Sequence, residues 1–176
     1  LMHKCNLHTI LRLPTGIFYA QGVKTNVLFF TKGSAKDKFQ SENCTEHVWV
    51  YDLRTNMPSF GKRTPFGNAS LGFSDESFGA DPHLGVFEKV FGDDPNGQSP
   101  RQEGEYSFDA ERVEVAATDE NQGVDERLAH SRWRKFSRNW IREHKGDSLD
   151  ISWLKDKDSV DAANLPAPDV LAREAK

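Results

Sequence analysis

Two adjacent aromatic rings, Phe18 and Tyr19, stand in the run Leu13-Pro14-Thr15-Gly16-Ile17-Phe18-Tyr19-Ala20-Gln21-Gly22-Val23, a Pro/Gly-bounded loop between two apolar stretches. Rings held this way can lie flat against a planar ligand at a sheet edge, and stacking on a nucleobase is worth about 1–3 kcal/mol. The plain alternative is that both rings pack the loop onto the core. Cations supply a second candidate chemistry, contact with phosphate or with an acidic partner. Arg134, Arg138 and Arg142 recur at four-residue spacing, Lys24 lies on the aromatic loop, and Lys62 and Arg63 follow the third apolar run. Each has a bland reading beside it, a solvated or solubilising charge. His3, Cys5 and His8 lie close together, but no second cluster completes a tetrahedral set, so no metal is expected. The chain holds no G-x-G-x-x-G, P-loop, G-x-S-x-G or H-E-x-x-H motif.

The elements that must position these residues are partly legible. Residues 7–13, 26–31 and 48–53 are short β-branched, aromatic or aliphatic runs and read as strands. Leu84, Phe87 and Val90/Phe91 recur at helical spacing, which predicts a short helix over 82–92. Strand character is expected around 112–116. Trp133, Phe136 and Trp140 fall on one helical stripe with the three arginines on another face, predicting a basic helix over 131–145. Ser131 would be its N-cap and Gly146 its C-terminal stop. Leu149, Ile151 and Trp153 alternate like a strand over 149–154, and a last helix is expected to begin near Asp169 and to be cut short at Lys176. These elements divide the chain into a strand-rich front (1–66), a Gly/Pro-rich and acidic connector (67–130) and a basic helix with a short strand and tail (131–176).

Composition sets the outer limits. The 176 residues are 36% hydrophobic and 28% charged, with a formal charge of −4, which excludes a strongly basic nucleic-acid module but not a local basic face. Charge is uneven: residues 101–130 carry three basic and nine acidic side chains, residues 131–145 six basic and one acidic. Two cysteines, Cys5 and Cys44, do not make a disulfide scaffold and fit a reducing cytoplasm. No uncharged run approaches a membrane span, and the N-terminus does not read as a signal peptide.

Several long strings then carry a resemblance. The stretch from Leu13 to Phe30, followed by Val48-Trp49-Val50-Tyr51-Asp52-Leu53-Arg54-Thr55-Asn56-Met57 and Phe60-Gly61-Lys62-Arg63-Thr64-Pro65-Phe66, resembles the modification (HsdM-type) subunit of type I restriction–modification systems. Trp133-Arg134-Lys135-Phe136-Ser137-Arg138 and the string from Ser148 to Ser159 look like the same subunit. The resemblance implies an adenine-N6 DNA methyltransferase using S-adenosylmethionine, in the cytoplasm, with DNA and the specificity and restriction subunits as partners. It implies an α/β fold (α+β as a fragment), in which residues 7–13 and 25–31 form the terminal antiparallel hairpin of a Rossmann-like sheet and 48–53 an added strand, followed by an irregular, partly helical C-terminal region. The loop between those hairpin strands carries, in amino-methyltransferases, an aromatic that stacks on the flipped-out adenine. Phe18 matches it, with Tyr19 the second candidate. The Asn-Pro-Pro-Phe motif and the glycine-rich donor-binding motif of the family are absent, so the chain is expected to be the C-terminal third or so of such a subunit, with no catalytic residue and no activity alone. Its apolar strand edge is expected to invite dimerisation. A different class of reading is a non-enzymatic module whose basic helix and acidic connector dock proteins or DNA.

Overall fold

The computed structural model describes residues 1–18, 23–32, 44–57, 60–63, 66, 83–104, 114–115 and 118–155. A mixed four-stranded sheet organises them, built from β1 (Asn6–Leu13), β2 (Thr25–Thr31), β3 (His47–Asp52) and β5 (Trp133–Ser137), in the order β2-β1-β3-β5. β1 runs antiparallel to β2 and parallel to β3, and β3 is antiparallel to β5. A second, two-stranded pairing joins β4 (Glu114–Val115) to β6 (Leu154–Lys155). Among the described residues there are also three α-helices, α1 (His83–Phe91), α2 (Glu126–Ala129) and α3 (Arg138–Lys145), and a 3-10 turn at Asp119–Asn121.

Both faces of the sheet are covered, which is why β1 and β3 read as near-continuous apolar runs rather than as alternating ones. Val48, Val50 and Phe136 face one core with Leu7 and Ile10, where α3 supplies Ile141 and the 149–154 segment supplies Ile151, Trp153 and Leu154. Trp49, Tyr51 and Trp133 face the other with Leu11 and Leu13, where α1 supplies Phe87 and Val90. On that second face Trp49 and Trp133 stack at 4.9 Å between ring centroids. A register shift between Leu7 and Thr9 gives β1 one extra residue, His8, so that His8 and Thr9 share a face. Thr45 closes the start of the strand: its buried hydroxyl accepts from the Leu7 N–H at 2.9 Å and donates to the Cys5 carbonyl at 2.8 Å. β2 is an edge of the sheet and keeps Val27, Leu28 and Phe30 exposed.

The strands over 7–13, 25–31 and 48–53 and the helix over 82–92 form close to where the sequence places them. The long helix over 131–145 does not. Residues 133–137 pair with β3, and the helix begins only at Arg138, capped by Ser137, whose hydroxyl accepts from the Trp140 N–H at 3.2 Å. Ser131 is instead buried beside Trp133, with its hydroxyl 3.1 Å from the Trp133 N–H. The physical reason is tertiary. Trp133 and Phe136 are three apart, so in a strand they point to opposite faces, and each face has an aromatic core to receive one. Gly146 does end the helix, in the left-handed conformation at φ 55°. The 149–154 segment has the expected burial alternation, with Ile151 and Trp153 fully buried and Asp150 and Ser152 exposed. Among the described residues only Leu154 and Lys155 of this stretch pair as a strand, opposite Glu114 and Val115, which lie inside the 112–116 run. The expected helix near Asp169 lies outside the described residues.

Candidate functional site

The aromatic loop leaves the C-terminal end of β1, where parallel β1 and β3 both finish. Its entry is fixed by backbone. The Phe60 N–H donates to the Thr15 carbonyl at 3.1 Å, and Gly16, at φ 82°, lies so close that a Cβ there would sit 1.9 Å from the Phe60 carbonyl oxygen. Ile17 turns inward against the second core, and Phe18 turns outward, 64% exposed. Tyr19 lies outside the described residues. At the far side Val23 and Lys24 are exposed before β2 begins.

At the strand ends from which this loop springs is a buried charged cluster that sequence reading missed. Asp52, at the end of β3, accepts from the N–H groups of Arg54 and Thr55 at 2.8 Å each and from the Thr55 hydroxyl at 3.0 Å. Its other face meets the Arg12 guanidinium at 3.7 Å, and Arg12 reaches Asp150 at 3.6 Å. Arg132 donates to the carbonyls of Asp52 and Thr55 at 2.9 and 2.8 Å. The legible part of this cluster was the run Asp52-Leu53-Arg54-Thr55, an aspartate closing a turn on the residues two and three ahead.

The cations singled out in the sequence separate. Lys24, Lys62, Arg63 and Arg142 are exposed, Arg142 on the rim of a polar hollow of about 320 Å³ also lined by Thr45, Glu46, Ser137, Arg138 and Asn139. Arg134 and Arg138 are buried and engaged, so the three arginines do not share a helical face. Arg134 donates to the Glu120 carbonyl at 2.7 Å and to Asn121 Oδ1 at 2.8 Å, and lies over the Phe136 and Trp153 rings. Arg138 forms a two-pronged pair with Asp147, which holds that carboxyl below its usual range and the guanidinium above its own. Burial works to raise the carboxyl of Glu120, but Lys145 at 2.8 Å and the Ser152 N–H at 3.0 Å hold it below the usual range.

His3, Cys5 and His8 do not converge. Cys44 donates to the His3 carbonyl at 2.8 Å, Cys5 is buried, and His8 packs between Phe29 and Phe91 with Nδ1 2.9 Å from the Thr9 hydroxyl. Burial, aided by Arg101, pushes the His8 imidazole down to about 4. Among the described residues no group of three His, Cys, Asp or Glu side chains is placed to hold a metal ion, and no helix is long and apolar enough to cross a membrane.

Compared with known proteins, the profile of the family described as N-6 DNA Methylase matches residues 1–136. The chain belongs to this family. Over 175 residues it is 67% identical to the type I restriction enzyme EcoKI methylase subunit of Escherichia coli (strain K12), a match covering 99% of this chain and 31% of that protein. It is 66% identical, with the same coverage, to the StySJI methylase subunit of Salmonella typhimurium. The crystal structure of the EcoKI M protein superposes with a TM-score of 0.75 at 66% identity, covering 99% of this chain and 32% of that one. This N-6 DNA methylase chain thus spans about a third of the length of the curated relatives it matches. Among the described residues the chain is mixed α/β, a four-stranded sheet with few helices, and the EcoKI M protein is a structural neighbour of it.

Proposed function

We propose that the chain is the base-clamping part of a type I restriction–modification methylase subunit that transfers a methyl group to adenine N6 in DNA. The observation that carries this reading is Phe18, a large ring 64% exposed at the end of β1 while its neighbours Gly16 and Ile17 are fixed to the protein. Exposing such a ring costs apolar burial, and a flipped-out purine would recover it. A target amino group inside a duplex is out of reach, so the base leaves the stack and needs a face to lie on. Tyr19, one residue on, remains the second candidate.

S-adenosylmethionine supplies the methyl group in this reading. The described residues do not form a cradle for it: the tight approaches at Gly16, Gly92 and Gly97 are filled by Phe60, Ser99 and His8 of the chain itself. Donor binding therefore falls to the two thirds of such a subunit that this chain does not span, and the chain alone is inactive. Phe18 orients and shields the base. Lys24, Lys62, Arg63 and Arg142 are placed to meet phosphate or an acidic partner surface, contacts that position DNA without reading it. The specificity and restriction subunits are the protein partners, and the setting is cytoplasmic. β1 and β2 are the closing hairpin of a Rossmann-like sheet whose other strands join at the β2 edge. In the isolated chain that apolar edge pairs with a second copy. Sedimentation then gives a dimer that Leu28→Lys returns to monomer.

Replacing the matching segment of a full-length EcoKI-type subunit by this chain allows the clamp to be tested. With 2-aminopurine at the target position, Phe18→Ala is expected to lower the flipped-base signal by roughly 5- to 150-fold in equilibrium constant, the equivalent of one lost stacking contact. Unchanged fluorescence and methylation would reject Phe18 as the clamp.

A further inference from the structure

The loop that presents Phe18 has two roots, Leu13 at the end of β1 and Thr25 at the start of β2, which face each other as the last pair of the hairpin. One side chain from a third strand end reaches both. Arg54 Nε donates to the Leu13 carbonyl at 3.3 Å, and its terminal nitrogen donates to the Thr25 carbonyl at 3.0 Å and to Asn26 Oδ1 at 2.9 Å. These partners lie 28 to 41 residues away in sequence. The arginine is itself held, because Asp52 fixes the turn by accepting the Arg54 and Thr55 N–H groups, and the Leu53 N–H bonds the Arg12 carbonyl at 3.0 Å.

We infer that Arg54 is a positioning residue for the aromatic loop, a guanidinium brace across its two roots that sets the direction in which Phe18 points. Nothing in the fold requires the brace for pairing, since β1 and β2 already pair along their length and hold one register from Thr9 to Leu13. What the brace adds is a fixed separation and twist where the ladder ends and the loop begins. The planar fork suits this: two carbonyls and an amide oxygen at different angles are served by one rigid donor set, and an ammonium at the same place would serve fewer of them. The Thr15 carbonyl, which accepts from the Phe60 N–H, holds the entry as well, so Arg54 and Phe60, both after β3, grip the loop at several points while leaving Phe18 outside.

The functional half of this inference rests on the reading of Phe18 as the base clamp, and the experiment separates the two. In the full-length chimera, Arg54→Ala is expected to lower kcat/KM for DNA about tenfold while leaving the KM for the methyl donor unchanged, with Arg54→Lys intermediate. Combined with Phe18→Ala, Arg54→Ala should add no further loss in flipped-base fluorescence, because an arginine acting through the ring has nothing left to aim. Tryptic cleavage after Lys24 reads the loop directly: Arg54→Ala should speed it about tenfold, whether or not Phe18 touches DNA. If Phe18→Ala is silent but cleavage accelerates, the clamp reading fails and the brace stands. If Phe18→Ala is impaired while Arg54→Ala lies within twofold of wild type in both methylation and cleavage, or if the two losses add, the brace is overturned. Should Arg54→Ala not fold, Asn26→Ala removes one exposed acceptor only. It is expected to raise cleavage and lower the flipping signal about twofold, and no change in either overturns the inference.

Discussion

Asp52→Asn isolates the charge at the centre of the cluster at the ends of β1 and β3. The substitution keeps the shape and keeps Oδ1, so the turn N–H groups of Arg54 and Thr55 retain their acceptor, and the Thr55 hydroxyl can rotate to accept from the new amide. What disappears is the negative charge 3.7 Å from the Arg12 guanidinium, which is 6% exposed. Removing one partner of a buried pair costs about 3–5 kcal/mol, because the other charge stays behind uncompensated. Arg12 still reaches the exposed carboxylate of Asp150 at 3.6 Å, which lowers the expectation to about 2–3 kcal/mol. With a urea slope of about 2 kcal/mol/M, the unfolding midpoint should fall by roughly 1–1.5 M at constant slope. Asp150→Asn, the exposed arm, should stay within about 0.5 kcal/mol. Arg12→Met in the Asp52→Asn background should recover most of the loss by removing the stranded charge. An Asp52→Asn midpoint equal to wild type, or an Asp150→Asn loss as large, would refute the assignment of Asp52 as the compensating charge.

Thr45→Val keeps the shape but strips the hydroxyl that serves Leu7 and Cys5, and two buried backbone groups without partners should cost about 2–4 kcal/mol in urea unfolding. Thr45→Ser retains both bonds and should cost about 1 kcal/mol or less. His8 gives a pH signature. Its folded pKa of about 4 lies below the unfolded value, so the stability tied to the neutral ring is complete above about pH 6.5 and is lost as pH falls towards 4. At pH 5 the loss should be on the order of 2 kcal/mol, and His8→Leu should flatten that part of the stability profile between pH 7 and 5. A profile equally steep in the variant would assign the acid sensitivity elsewhere.

How much of this could be read from the chain depends on how far each feature reaches. Residues 48–53 declare a strand because both faces of the sheet want apolar side chains there, and the Asp52 turn is a local pattern of four residues. The 133–137 strand misleads because Trp133 and Phe136 fit one face of a helix as well as the two faces of a strand. Only the partner β3 decides between them, and it lies more than 80 residues earlier. The same ambiguity carried the arginines: four-residue spacing suggests one basic face, but Arg134 is drawn under by Glu120 and Asn121, which nothing near it in sequence announces. Phe18 was legible as a ring in a Pro/Gly loop, whereas its outward direction depends on Gly16 meeting Phe60, and Arg54's reach to the loop roots depends on three strand ends meeting.

The surplus residue at His8 makes β1 forgiving of a length change at one point only. Losing Ile10 would turn the rest of the strand over, putting Leu11 in its place and driving the Arg12 guanidinium among the aromatics of the opposite core. Losing His8 alone would leave every other side chain facing as it does now and regularise the pairing with β2, at the cost of a gap beside Phe29 and Phe91. Single-residue gaps in this strand among related methylase subunits should therefore collect at the His8–Thr9 pair rather than farther along it.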